Sequence, residues 1–217
     1  MVGKKTHIFL SEKFPDMPDI LIKEICKQRS IRLYGSFNTL KLIHGIKKLL
    51  VFLKSKKYVI ALTTGSERNF AEKVLKINLL DKYFDIITSG EEFSSSKPNT
   101  ECYKITLKKL NLVPLEAIVI EDSSAGIIAA KKIRCKVFAV KTYLSSKLLI
   151  EADKIFDNHT DILSYFKKSK KNCKWDSRRG LAGSSSAISL CLIARQNKMI
   201  DQRKMGPPRF ELGTYAL

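Results

Sequence analysis

The sequence predicts an α/β fold, a doubly wound parallel sheet with helices on both faces. Three observations lead there. From about Leu40 to Phe166, short β-branched runs alternate with segments of helical periodicity, which is the pattern of right-handed βαβ units. At least the clearest strand candidate is a continuous apolar run rather than an alternating one, as a strand covered on both faces is. Polar residues able to do chemistry (Thr64, Lys97, Glu121 and Asp122) stand just past such runs or in the loop between two. That is the rim where open sheets of this kind bind ligands.

Each element has its own justification. Ile46, Leu49, Leu50 and Leu53 fall at i, i+3, i+4 and i+7, one stripe of a helix. Tyr58 to Thr63 is apolar and ends in polar residues, a buried strand. A helix follows with Phe70, Val74 and Ile77 on one side, and Phe84 to Thr88 is a short strand. Tyr103, Leu107 and Leu110 mark a helix opened by Pro98-Asn99 and closed before Pro114. Ala117 to Ile120 is the next strand, and Ala125 to Ile133 a helix that Ser123 or Ser124 would cap. Val137 to Val140 and Lys154 to Phe156 are further strands, and Asp161 to Phe166 a last short helix.

The two ends differ from this region. Met17 to Arg29 has helical character, Phe9 to Asp16 reads as connecting material, and nothing before Leu40 resembles the opening strand of such a sheet. Beyond Lys168 the pattern fails. Trp175 to Ser186 is small and polar, Ile188 to Ala194 is an isolated apolar patch, and Met205 to Leu217 has no periodicity. Residues 169–217 are expected to be unstructured. Their end resembles peptides produced when a structural-RNA gene is translated conceptually, which makes the tail non-native. The rival reading is a basic tail with a binding role.

Composition excludes several classes. With 44% hydrophobic residues in 217, the chain is globular in type. It holds no apolar run near the roughly 18 residues a membrane span needs, and its first residues are too short an apolar core for a secretory signal. Five scattered cysteines (Cys26, Cys102, Cys135, Cys173, Cys191) without Cys-x-x-Cys spacing read as reduced thiols of a cytoplasmic protein, not as a zinc site or disulfide framework. The net charge of +19 is carried mostly as lysine doublets without interleaved aromatics, so solvated helix faces are the expectation and nucleic acid is not an expected partner. Only Lys167 to Lys174 forms a dense basic block.

A hydroxyl at Thr64, an ammonium at Lys97 and adjacent carboxylates at Glu121 and Asp122 are the equipment for gripping a phosphate and holding a magnesium ion. Each has a plainer reading: Thr64 a strand-end turn residue, Lys97 a loop lysine, Asp122 a helix cap. The carboxylate pair is the hardest to explain plainly, because adjacent carboxylates repel unless a cation or donors compensate. His44 reads as a turn residue, His7 and His159 lack partners at metal spacing, and Cys102 and Cys135 fall in core positions.

With those residues in view, about residues 33–166 resemble the haloacid dehalogenase superfamily, in its phosphoglycolate phosphatase and β-phosphoglucomutase branch. Ala61 to Ser66, Lys97-Pro98 and Ile120-Glu-Asp-Ser-Ser-Ala-Gly126 carry the likeness in the family's order. It implies a Rossmann-like core over 39–168, with residues 1–38 the remnant of a helical cap. It further implies that Thr64, with the Gly65 and Ser66 amides, and Lys97 bind phosphate and serve catalysis, and that Glu121 and Asp122 hold magnesium. The expected substrate is a small phosphorylated metabolite, the reaction phosphomonoester hydrolysis or a phosphomutase-type transfer. The family's first strand, ending Asp-x-Asp-Gly-Thr and supplying the nucleophile, has no counterpart here; Asp16-Met-Pro-Asp19 has the wrong spacing. The chain is therefore expected to be N-terminally truncated, to lack the sheet's first strand and to be inactive as written. The alternative is a non-catalytic pseudophosphatase that binds an anionic partner through its basic surface or tail. Glu101, where the family commonly has Asp, and Thr100 in place of Pro are expected to loosen the Lys97 loop.

Overall fold

The computed structural model describes residues 6–35, 37, 42–142, 144–168 and, for the backbone, 191–196. Two helices, α1 (Thr6–Lys13) and α2 (Asp19–Gly35), precede the sheet domain. Its elements follow as α3 (Ile46–Ser55), β1 (Tyr58–Thr63), α4 (Arg68–Ile77), β2 (Ile86–Thr88), α5 (Glu101–Leu110), β3 (Ile118–Glu121), α6 (Ser124–Lys132), β4 (Lys136–Val140), β5 (Lys154–Phe156) and α7 (His159–Lys168). The sheet order is β2-β1-β6-β3-β4-β5, where β6 is Cys191–Gln196. Pairs β1–β2, β3–β4 and β4–β5 are parallel.

Side chains alternate across this sheet as the pleat requires. Ile60, Leu62, Ile120, Phe138 and Val140 face a core built with Leu49, Leu50 and Leu53 of α3 and Ile162, Leu163 and Phe166 of α7. Ala61, Val119, Val137 and Ala139 face the other core, with Tyr103 and Leu107 of α5 and Ile127 and Ala130 of α6. The apolar stripe of α3 is buried at all four predicted positions; full burial of such a side chain is worth about 1.5–3 kcal/mol. Ile77, grouped with Phe70 and Val74 on one face of α4 by its spacing, instead points to solvent. It is the last residue of α4, and Leu79 in the turn that follows is exposed as well.

Two expectations about the ends are corrected. Phe9 to Asp16 is not connecting material throughout, because Thr6–Lys13 is helical, with Leu10 buried. The tail is not wholly unstructured either: Cys191–Gln196 forms β6, antiparallel to both β1 and β3. The position expected to lack a strand is thus filled from the far end of the sequence. The physical reason is the ladder itself. β1 and β3 each present a row of backbone donors and acceptors, and an apolar segment lying between them satisfies both rows. The rest of residues 169–217 lies outside the described residues.

The helical pair meets the sheet domain through α4. Phe37, Phe70 and Val74 form a small cluster with Leu33 against it, and Tyr34 stands edge-on to both Phe37 and Phe70 with ring centres 5.5 Å apart.

Candidate active site

The register through β6 fixes where the candidate residues stand. Leu62 and Ile120 both pair with Leu192, and Ala61 and Val119 both pair with Ile193. β1 and β3 therefore run in the same direction at the same level, and Thr64 and Asp122 emerge level with each other at one rim. One strand separates them, so their backbones are two strand spacings apart, about 10 Å.

Thr64 is held by its own loop. Its N–H donates to Thr88 O at 2.9 Å, and its hydroxyl accepts from Ser66 N–H at 3.1 Å, leaving the hydroxyl proton to donate. Gly90 lies close against this loop: a Cβ there would stand 2.3 Å from Gly65 O. Gly90 N–H donates to Ser66 O at 2.8 Å. Only a glycine lets the two rim loops approach so closely.

Lys97 and Glu121 form a buried ion pair through Nζ and Oε1. Tyr103 donates its hydroxyl to the same Oε1 at 3.1 Å, and its ring lies 4.8 Å from the ammonium. The other oxygen, Oε2, accepts from Asp122 N–H at 2.8 Å, Ser123 N–H at 2.9 Å and Ser123 Oγ at 3.0 Å. Five donors thus satisfy one fully buried carboxylate. Burial pushes the Glu121 carboxyl up, and the Lys97 charge with the hydrogen bonds outweighs it, so the group stays ionised and below its ordinary value. Ser123 also accepts from Gly126 N–H at 3.1 Å, which makes it, of the two serines expected, the cap of α6.

Asp122 accepts from Thr142 Oγ1 at 2.5 Å. Thr142 follows β4, so a third strand end contributes to this rim. Glu101, expected to leave the Lys97 loop loose, grips it instead: its carboxylate accepts from Ser94 N–H at 3.1 Å and Ser95 N–H at 2.8 Å. Cys102 is buried behind Lys97, and desolvation raises its thiol pKa, which keeps it protonated and inert.

Among the described residues no three His, Cys, Asp or Glu side chains cluster as a metal cage. Magnesium does not need one, since one or two carboxylates with waters and a substrate phosphate suffice. Asp122, at the rim and bonded to Thr142, fits that role. Glu121, expected beside it, has both oxygens engaged by protein donors and serves in this geometry to hold Lys97.

A cleft of about 240 Å³ opens between the helical pair and the rim, with Cys26, Arg29 and Ser30 of α2 facing Gly65, Ser66 and Gly90. Glu67 and Glu91 also line it. His7, read as partnerless, is exposed in α1 at its edge. His44 lies in an exposed turn before α3, and His159 is buried at the start of α7.

The profile of the family described as haloacid dehalogenase-like hydrolase matches residues 7–140. This chain belongs to the haloacid dehalogenase-like hydrolases. It is 36% identical over 110 residues to the phosphorylated carbohydrates phosphatase of Thermotoga maritima, covering 50% of this chain and 51% of that protein. The chain spans about half the length of the curated relatives it matches. Among solved structures it is similar to β-phosphoglucomutase from Clostridium difficile (TM-score 0.67, 23% identity, 76% of this chain and 77% of that one). It is also similar to a putative β-phosphoglucomutase from Thermotoga maritima (TM-score 0.60, 29% identity, 75% and 76%). Its fold is also similar to that of a predicted phosphoglycolate phosphatase from Haemophilus somnus (TM-score 0.62, 21% identity, 73% of each chain).

Sequence reasoning missed three contributors to the site. Tyr103 was indistinguishable from a core aromatic on the α5 stripe, Glu101 registered only as a departure from the family pattern, and Thr142 carried no motif. The rule that residues just past parallel strands face the ligand would have marked Thr142.

Proposed function

We propose that this rim binds the phosphate of a small phosphorylated metabolite, of the sugar- or polyol-phosphate class, in a magnesium-dependent phosphomonoester site. The shared level of Thr64 and Asp122, with Lys97 anchored on Glu121 beside them, carries this reading. A phosphoryl group in transfer spreads charge over its peripheral oxygens, so catalysis is mainly positioning and neutralisation. Thr64 donates its hydroxyl to one oxygen. An ammonium has three donors, so Lys97 can bind Glu121 and a phosphate oxygen together. Magnesium held by Asp122 would supply further neutralisation of the phosphoryl charge.

The substrate class rests on the cleft and on the relatives. Carboxylates at Glu67 and Glu91 suit hydroxyl donors and repel a second anionic group. The similar Thermotoga maritima protein is named for phosphorylated carbohydrates.

No Asp-x-Asp occurs in the 217 residues, so we propose that residues 1–217 alone turn over phosphate esters slowly, by factors of about 10⁴–10⁶ relative to a complete site. The test is calorimetric titration with inorganic phosphate, with and without magnesium. Wild type should bind saturably and more tightly with the metal, and T64A and D122N should each weaken binding about 10-fold or more. Equal binding by wild type and both variants would overturn the reading. Fast magnesium-dependent hydrolysis of p-nitrophenyl phosphate by this chain would overturn the proposed inactivity alone.

A further inference from the structure

We propose that Tyr103 is a positioning residue for Lys97, fixing the direction in which the ammonium meets a bound phosphate. The proposal deepens the reading above, since it takes Lys97 as a phosphate ligand.

Three features of the structure support it. Tyr103 is fully buried. It donates to Glu121 Oε1 at 3.1 Å, the same oxygen that holds Lys97 Nζ. Its ring meanwhile stands 4.8 Å from that ammonium, within the range of attraction to an aromatic face. Tyr103 therefore touches both members of the pair at once.

The physical consequence concerns freedom of motion. A lysine has four rotatable side-chain bonds, and a single ion pair leaves its head group able to swing about the carboxylate. Glu121 Oε2 is fixed by Asp122 N–H, Ser123 N–H and Ser123 Oγ. On the Oε1 side the lysine ammonium and the tyrosine hydroxyl both donate. The hydroxyl sets the plane of the carboxylate, and the ring closes off the side toward α5. With both in place the ammonium is held between the Glu121 carboxylate and the Tyr103 ring. Phenylalanine would keep the ring and lose the hydroxyl, while leucine would lose both.

The experiment compares Y103F and Y103L in the full chain, each in wild-type and K97Q backgrounds, by calorimetric titration with inorganic phosphate. Y103F should weaken phosphate binding by about 5-fold in the wild-type background and leave it unchanged with K97Q, the signature of one residue acting through another. Y103L should weaken it further. Equal weakening in both backgrounds means general structural support and overturns the proposal, as does no weakening in either. A second readout needs no ligand: the ¹⁵N–¹H signal of the Lys97 ammonium, assigned by its loss in K97Q. It should be resolved in wild type and broadened by faster solvent exchange in Y103F; an unchanged signal also overturns the proposal. If wild type binds no phosphate, the functional reading fails on that result, and the ammonium signal alone then decides whether Tyr103 positions Lys97.

Discussion

Gly126 shows how tightly the site is specified at the level of one atom. A Cβ there would stand 1.9 Å from Glu121 Oε1 and 2.2 Å from Glu121 Cδ. The carboxylate cannot give way without leaving buried donors unpaired. Gly126→Ala should therefore cost about 2–4 kcal/mol of stability, read as a fall in the urea midpoint, and phosphate affinity should fall with it. His159 makes a different demand. It is 1% exposed, and burial lowers its pKa to about 4, so the folded state binds the imidazole neutral. The unfolded chain takes up the proton first, near pH 6.5, so stability falls as pH drops from about 6.5 toward 4. Between pH 7 and 5 this amounts to roughly 2 kcal/mol. His159→Phe should flatten that part of the stability profile, measured by urea unfolding at both pH values; an identical loss in the variant would show that another group is responsible. The carboxylates act lower on the scale. Burial raises Glu92, and Lys109, the Ser89 N–H and Arg68 together lower it to about 2. Its contribution is present above the ordinary carboxylate range and is lost only as pH falls toward 2.

Among the elements, β6 is the one on which the sheet's continuity depends. It pairs with β1 over Tyr58 to Thr63 and with β3 over Ile118 to Ile120. Without it two strands would face each other across an unsatisfied gap. Ile193 pairs with Ala61 on one side and Val119 on the other. Ile193→Pro removes the only N–H at that position and forces its ring into a central strand, where proline is not tolerated. The expected result is a loss of about 3 kcal/mol or more and faster hydrogen exchange at the amides of β1 and β3 that face the gap. Slow exchange retained in the variant would mean that the slot does not rely on this strand. The helical pair depends on packing of another kind. It is joined to α4 by Leu33, Phe37, Phe70 and Val74 and by a hydrogen bond from Tyr34 to Glu67 at 3.4 Å. Glu67 lines the cleft, so this contact also shapes the space in which a substrate body would lie.

For the whole molecule, the charge of +19 is distributed unevenly between structure and surface. Several acids are held in local pairs: Lys54 with Asp85, Arg68 and Lys109 with Glu92, and Lys131 with Asp153. The lysine excess is left on outer helix faces, where an anionic metabolite would be drawn toward the molecule in a salt-dependent way. No helix among the described residues is long and apolar enough to cross a membrane. The dense basic block opens with Lys167 and Lys168 at the end of α7; its remainder lies outside the described residues, and the reading of a partner-binding tail remains a separate proposal, resting on composition alone.

Much of the fold was legible because its signals are local. Apolar runs and 3.6-residue stripes placed β1, β4, β5 and α3 within a residue or two, and capping chemistry narrowed the start of α6 to Ser123 or Ser124, of which Ser123 is the cap. The order of Thr64, Lys97 and Glu121-Asp122 was legible for the same reason, since each motif is a few residues long. Two things were decided only in three dimensions. An apolar patch 130 or so residues beyond β1 completes the sheet, because backbone pairing is indifferent to sequence distance once the chain returns. And Glu121 became the anchor of Lys97, because five donors from three separate segments converge on it, which no spacing along the chain can announce.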